Sequence, residues 1–140
     1  MDMHHNLASV QTLDPAVTTE ARAGAPVDIQ GFHGVEHIVA IGASGDSLSE
    51  TDRLDLVLEA SADGSSWEAV SEDGGVLGSV DADGVFASID AAGKEQSEYR
   101  IGYVGSLRYS RIRVVPEGTH DEGTPVAALA LLGGADVKPV

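Results

Sequence analysis

The chain has 140 residues, of which 42% are hydrophobic, and this is enough apolar material to form the core of one domain. Eight lysines and arginines stand against 23 aspartates and glutamates, which gives a formal net charge of −15. Affinity for phosphate comes mainly from clustered Lys and Arg, and this charge therefore argues against nucleic acids and anionic membranes as partners. The absence of cysteine excludes disulfides, thiolate metal sites and cysteine nucleophiles.

The two ends of the chain are polar and suggest segments outside the folded domain. We expect an extended N-terminal arm over residues 1–13, a β-sandwich domain over 14–134 and a C-terminal tail over 135–140. No stretch approaches the ~18 consecutive apolar residues of a membrane span. Met1–Leu7 also lacks the cationic and apolar regions of a secretory signal. We therefore expect a soluble protein that is made and used without export.

The N-terminal half contains short apolar stretches separated by Gly, Asp and Ser clusters, which is typical of strands joined by turns. Ala8–Thr19, which Pro15 interrupts, suits an extended arm or an edge strand. Short strands are predicted at Val27–Ile29 and at His37–Ile41.

Arg53–Ala60 carries the clearest strand pattern, because apolar residues occupy every second position from Leu54 to Ala60. Trp67–Val70 follows after a turn that contains Asp63-Gly64. Glycine supplies the positive φ that a tight turn requires, and the pattern therefore predicts a β-hairpin.

The C-terminal half predicts four further strands, at Val85–Ile89, Tyr99–Val104, Arg108–Val115 and Pro125–Leu132. Ala91–Glu98 is expected to be a loop or a single helical turn. The last strand is apolar on both faces, and its second face is either inter-sheet core or a subunit interface. Short strands at this spacing, with almost no helical pattern, predict an all-β, single-domain antiparallel β-sandwich or a small barrel.

Motifs that carry enzyme chemistry are missing from the sequence. It contains no phosphate-binding loop, no dinucleotide fingerprint, no HExxH motif and no Gly-x-Ser-x-Gly nucleophile elbow. We therefore expect neither catalysis nor a cofactor.

Histidines and acidic turns are the candidates for metal binding. His33, Glu36 and His37 lie close in sequence, but zinc requires three or four converging ligands, and surface or turn histidines are the favoured interpretation. Glu72–Gly74 and Asp81–Gly84 resemble fragments of calcium loops without the closing glutamate, which favours plain acidic turns. We expect no metal site.

Two features have both a binding and a structural interpretation. Trp67 follows a Ser-x-Asp-Gly-x-x-Trp turn that also occurs in discoidin-type carbohydrate-binding sandwiches, but a core position is favoured because one indole buries much apolar area. Four arginines lie between Arg100 and Arg113. They form either a basic stripe for an acidic partner or, as the favoured interpretation, ion pairs with the chain's own carboxylates.

The sequence resembles small virion proteins of tailed bacteriophages over roughly residues 8–134. The resemblance rests on an Arg-Tyr-x-Arg strand at residues 108–111, on Gly118-Thr119 and Gly123-Thr124, and on the small-residue apolar strand after them. In the front half it rests on Val-Asp-Ile at 27–29 and on a Leu-x-Leu strand that enters the Ser-x-Asp-Gly turn.

The resemblance implies a head decoration, or cement, protein with a jelly-roll-like sandwich. Such a protein binds the outside of the capsid, bridges major capsid protein subunits, and is present as a homo-oligomer or as symmetric copies on the lattice. It is made in the bacterial host cytoplasm and used on the virion surface. The alternatives are a head–tail connector or tail component, and a carbohydrate-binding module.

The contact segments expected in such a clamp are the N-terminal arm, the C-terminal tail, the arginine-rich strand and the two-faced last strand. An extended polar arm can become ordered by adding a strand to a neighbour. The residues expected to contact a partner are His4, His5, Leu7, Val10, Arg108, Arg111, Arg113, Val126, Leu129, Leu131 and Val137.

Overall fold

A computed structural model describes residues 2–137 of the chain. Within that range the regular structure consists of strands and one 3-10 turn, Ala92–Lys94, and no helix there is long and apolar enough to cross a membrane. The strands are β1 Leu7–Thr18, β2 Arg22–Ala23, β3 Val27–Asp28, β4 Gly34–Ile41, β5 Arg53–Ser61, β6 Glu68–Ala69, β7 Val76–Leu77, β8 Val85–Ile89, β9 Ser97–Tyr103, β10 Tyr109–Glu117 and β11 Thr124–Gly133.

The strands form two antiparallel sheets, and the predicted all-β sandwich is confirmed. The five-stranded sheet has the order β1-β11-β4-β9-β7. The six-stranded sheet has the order β2-β10-β5-β6, with β3 added to β10 and β8 added to β5.

The core lies between the two sheets and is built from the alternate residues of each long strand. Leu54, Leu56 and Leu58 of β5 are each 0% exposed. From the other sheet, β11 contributes Val126, Ala128, Ala130 and Leu132, and the residues between them point outward. This alternation assigns the two faces of each strand.

The predicted hairpin is present, since β5 pairs with β6 in antiparallel register. Its turn is held by Asp63, whose Oδ1 accepts hydrogen bonds from the backbone N–H groups of Ser65 at 2.8 Å and Ser66 at 3.0 Å. These bonds lower the pKa of the Asp63 carboxyl, because they stabilise its charged form. Gly64 has a φ of 77°, as the sequence pattern requires.

The ends of the chain differ from the prediction of a free arm and tail. Residues 7–13 belong to the edge strand β1, which is the alternative that the sequence left open for Ala8–Thr19, and Thr12 and Leu13 bury their side chains, at 6% and 5% exposure. Two register shifts in β1 obscure this alternation in the sequence. The tail contacts the domain at Asp136, whose N–H donates to the Gly31 carbonyl at 2.8 Å. Residues 138–140 of the predicted tail lie outside the described residues.

Candidate protein-binding surfaces

The outward side of the five-stranded sheet is apolar at its centre. The register places Leu129 opposite Ile38 and Ala127 opposite Ala40 on this side. Leu129 is 40% exposed although it is a large apolar residue in the middle of a sheet. An antiparallel sheet with one solvent face normally carries polar residues there.

This apolar surface extends to both sides of β4 and β11. At the β9 edge, Leu77 and Val104 are 58% and 48% exposed. Shallow concavities lie along the same side, one of them about 250 Å³ and lined by residues of β1, β4 and β11. We call this set the apolar outer face: Leu7, Ile38, Ala40, Leu77, Val104, Ala127, Leu129 and Leu131.

Charge on the apolar outer face is sparse compared with the rest of the chain. Glu36 lies on this side, and its Oε2 accepts a hydrogen bond from Arg100 Nη1 at 3.3 Å. Glu98 is the exposed carboxylate next to this pair. A sheet face that is apolar at its centre is unusual in a chain of net charge −15, and it can approach another protein without strong repulsion.

The outward side of the six-stranded sheet carries a compact Trp–Arg–Glu cluster. Arg111 Nε donates to Glu59 Oε1 at 2.8 Å, and the Arg111 guanidinium carbon lies 4.2 Å from the centre of the Trp67 ring. The Arg111 and Glu59 side chains are only 20% and 13% exposed. Trp67 is half-buried on this cluster and does not belong to the core between the sheets, and its predicted core position is therefore wrong. The Arg111 guanidinium stacks on the Trp67 ring there, in a cation–π contact.

Arg100 and Arg108 also follow the favoured interpretation of intramolecular pairing, whereas Arg113 does not among the described residues. Arg108 makes a two-pronged bond to Asp28, at 2.9 and 2.7 Å, and this contact lowers the pKa of the Asp28 carboxyl. Arg113 makes no ion pair with any residue between 2 and 137. The arginine stripe is therefore largely neutralised by the chain's own carboxylates.

The predicted contact residues separate into several groups in space. Leu7, Val10, Leu129 and Leu131 lie together on β1 and β11, at or beside the apolar outer face. The three predicted arginines lie on or next to β10, in the other sheet. The prediction that Val126 contacts a partner is wrong, because its side chain lies in the core at 1% exposure.

The predicted contact residues at the two chain ends, His4, His5 and Val137, lie outside the strands of both sheets. His4 and His5 lie in an exposed turn before β1. Val137 is 81% exposed at the end of the described range.

Two of the histidines, His37 and His120, are buried, which corrects the interpretation of His37 as a surface or turn residue. His37 is 0% exposed, and its Nε2 is hydrogen-bonded at 2.8 Å to Ser110 Oγ in the opposite sheet. Burial lowers the pKa of His37 to about 4, since the charged imidazolium is poorly solvated there. His120 Nε2 donates to the Glu117 carbonyl at 2.7 Å. His37 therefore joins the two sheets, and His120 holds the turn that follows β10.

The described residues contain no group of three or more His, Asp or Glu placed to hold a metal ion. His33 is exposed whereas His37 is buried, and His33 Nε2 lies 3.1 Å from Asp136 Oδ1. In the acidic loop before β8, Asp81 Oδ1 accepts the N–H groups of Asp83 and Val85 at 2.8 and 3.0 Å. Those bonds build a turn of the kind that Asp favours.

Ile38 and Ala40 are candidate contact residues that the sequence reasoning did not select. Their strand, like the last strand, has apolar residues at successive positions, from Ile38 to Ile41. Two such strands that lie side by side must expose one apolar face, because a sandwich buries only one side of each sheet. The presence of two strands that are apolar on both faces could therefore have indicated the apolar outer face from the sequence.

The fold and these surfaces define a class: a two-sheet antiparallel β-sandwich with an exposed apolar sheet face. No protein-family model and no curated protein sequence matches the chain. Among solved structures, the crystal structure of the SPBc2 prophage-derived protein YomS is similar, at 16% sequence identity and a TM-score of 0.48. The similarity covers 91% of this chain and 92% of that chain.

Proposed function

We propose that this protein is a virion structural protein that binds the outside of a bacteriophage capsid and bridges neighbouring major capsid subunits, without catalysing a reaction. The observation that carries the proposal is the apolar outer face. Exposed contiguous apolar surface on a soluble protein typically marks a site of contact with another protein. The phage assignment is supported by the motifs at residues 27–29 and 108–128 that resemble those of small virion proteins.

Charge supports an outer position and not contact with packaged nucleic acid. The net charge of −15 repels phosphate, and it keeps an abundant protein soluble until it assembles. The apolar outer face carries little of that charge and can dock while the acidic loops stay in solvent. A single copy needs only modest affinity, because many copies that bridge a symmetric lattice stabilise it by mass action.

A matched pair of variants tests whether the apolar outer face is the binding surface. Ala40 on this face and Ala69 on β6 of the other sheet are both exposed strand alanines. Ala40→Asp places a charge in the proposed contact and should weaken binding to capsids that lack the protein by roughly 30-fold or more, as for an interface hot spot. Ala69→Asp adds the same charge elsewhere and should bind like the unmodified chain. Equal binding of both variants would contradict the assignment of this face.

Particle stability tests the clamp itself. Capsids stripped of the protein should lose resistance to heat and osmotic shock, and the purified chain should restore it while Ala40→Asp should not. Stripped and complete particles that resist equally would refute the proposed function. Copy number distinguishes the connector alternative, since a connector forms one small ring at a single vertex and a decoration protein covers the head.

A sugar-binding function is a second candidate, and the exposure of Trp67 outside the core favours it. An indole beside an arginine and a carboxylate offers both a stacking surface and hydrogen-bonding groups. Glycan-array binding that Trp67→Ala abolishes, with the fold intact by circular dichroism, would support this candidate. No binding to any glycan would remove it.

A further inference from the structure

Most strand edges of this sandwich are short or covered. The edge strands β2, β6 and β7 have only two residues each. The longer edge strand β8 is covered at two carbonyls: Asp81 N–H donates to the Val85 carbonyl at 3.0 Å, and Lys94 Nζ donates to the Ser88 carbonyl at 3.4 Å. Short and covered edges are the usual protection against unwanted strand pairing.

The second half of β1 is covered in the same way. Ala25 N–H donates to the Thr12 carbonyl at 2.8 Å, and Arg22 Nη2 donates to the Asp14 carbonyl at 2.6 Å. These bonds cover the edge at the Thr12 and Asp14 carbonyls.

The first half of β1, Leu7–Gln11, has no such cover. One side of this segment pairs with β11. On its other side, its backbone makes a single hydrogen bond within residues 2–137, which the Leu7 N–H donates to the Met3 carbonyl. The run has no charged residue and no proline, the two common protections of a natural edge strand. Val10 is 43% exposed, although the register places it opposite the fully buried Ala130.

We infer that the Leu7–Gln11 edge binds the same edge of a second copy of this chain, in antiparallel register about Ser9. Such pairing satisfies the open backbone groups and places Val10 beside Ala8 of the other copy. Ala8 and Val10 share one side of β1, because the register sets them opposite the buried Leu132 and Ala130. The exposed Val10 is then covered.

Charge and continuity favour a second copy as the occupant. Two chains of net charge −15 repel each other over most of their surface, and an uncharged edge is a place where they can approach. Pairing there joins two five-stranded sheets into one, and it brings the two apolar outer faces, each with Leu7 and Leu131 near the edge, side by side. The inference does not depend on the proposed capsid function.

Sedimentation measurements on the full chain test the pairing. The unmodified chain should reach twice its monomer mass of 14.4 kDa as its concentration rises. Val10→Lys should raise the dimer dissociation constant by roughly 30-fold or more, because it places a charge in the paired edge. Val17→Lys, a matched change at a 59% exposed valine on the covered half of β1, should dimerise like the unmodified chain. A chain that stays monomeric at every soluble concentration, or equal weakening by both variants, would overturn the inference.

Cross-linking tests the register, since the chain contains no cysteine of its own. Ser9→Cys should be joined into covalent dimers by a short thiol-reactive linker, because residues opposite each other in paired strands lie about 5 Å apart. Ser65→Cys, an exposed serine in the β5–β6 turn, should remain monomeric. Cross-linking of Ser65→Cys as fast as Ser9→Cys, or of neither variant, would refute edge-to-edge pairing.

Discussion

The buried histidine in β4 makes the stability of this protein sensitive to mildly acidic pH. His37 lies between the sheets, bonded to Ser110, and its pKa falls from 6.5 to about 4 because burial disfavours the charged ring. The paired neighbours of His37 on β9 and β11 are Ile101 and Ala130, which bear no charge. Desolvation is therefore the cause of the lowered pKa.

The sign and the size of the effect follow from linkage. Between pH 6.5 and 4 the unfolded chain binds a proton at His37 and the folded chain does not, and acid therefore favours unfolding. The contribution of His37 is complete above pH 6.5 and is lost as pH falls. The loss is about 2 kcal/mol at pH 5 and about 3 kcal/mol once the folded pKa is passed.

Urea unfolding of the unmodified chain and of His37→Gln, at several pH values from 7.5 to 5, measures this contribution. The variant cannot titrate at this position, and the acidic groups common to both proteins cancel in the difference. Relative to the variant, the unmodified chain should lose about 2 kcal/mol over that range. His33→Gln removes a histidine that is 76% exposed and serves as the control. A difference between the unmodified chain and His37→Gln that does not change with pH would refute the reasoning.

Two further substitutions test the packing of the sandwich. Arg111→Ala should destabilise the fold by about 1–3 kcal/mol in urea unfolding, because it leaves the mostly buried Glu59 unpaired, and the fluorescence of Trp67 should shift to longer wavelength; an unchanged midpoint and spectrum would count against the cluster. Gly118→Ala should lower the free energy of unfolding by about 2 kcal/mol, because Gly118 has a φ of 82° and a methyl group there meets the neighbouring loop backbone. A methyl group at Gly93 meets open space, and Gly93→Ala should therefore be nearly neutral in thermal unfolding.

The sandwich was predictable from the sequence because local alternation sets which side of a strand is buried. Arg53–Ala60 shows the pattern most clearly, and its apolar positions form the centre of the core. The hairpin through Asp63-Gly64 followed from turn chemistry that acts over a few residues. For the last strand, which is apolar on both faces, the sequence left open whether the second face lies in the core or at an interface. The structure places Leu129 outward and Val126 inward.

The remaining features depend on strands that are distant in sequence. The partner of His37 is Ser110 in the opposite sheet, and the partner of Trp67 is Arg111 on a strand more than forty residues away, and neither contact leaves a local pattern. The register shifts in β1 likewise hid Thr12 and Leu13 as buried residues. Sequence spacing cannot supply these pairings, because register is set by the packed sheets as a whole.

Electron cryo-microscopy of intact particles, with the copies of this chain counted and oriented, tests the central claim most directly. The proposal predicts many copies spread over the outside of the head, each with the sheet that contains Ile38 and Leu129 turned toward the major capsid protein. Particles without this chain, a single ring at one vertex, or copies attached through the Trp67 side of the sandwich would contradict it.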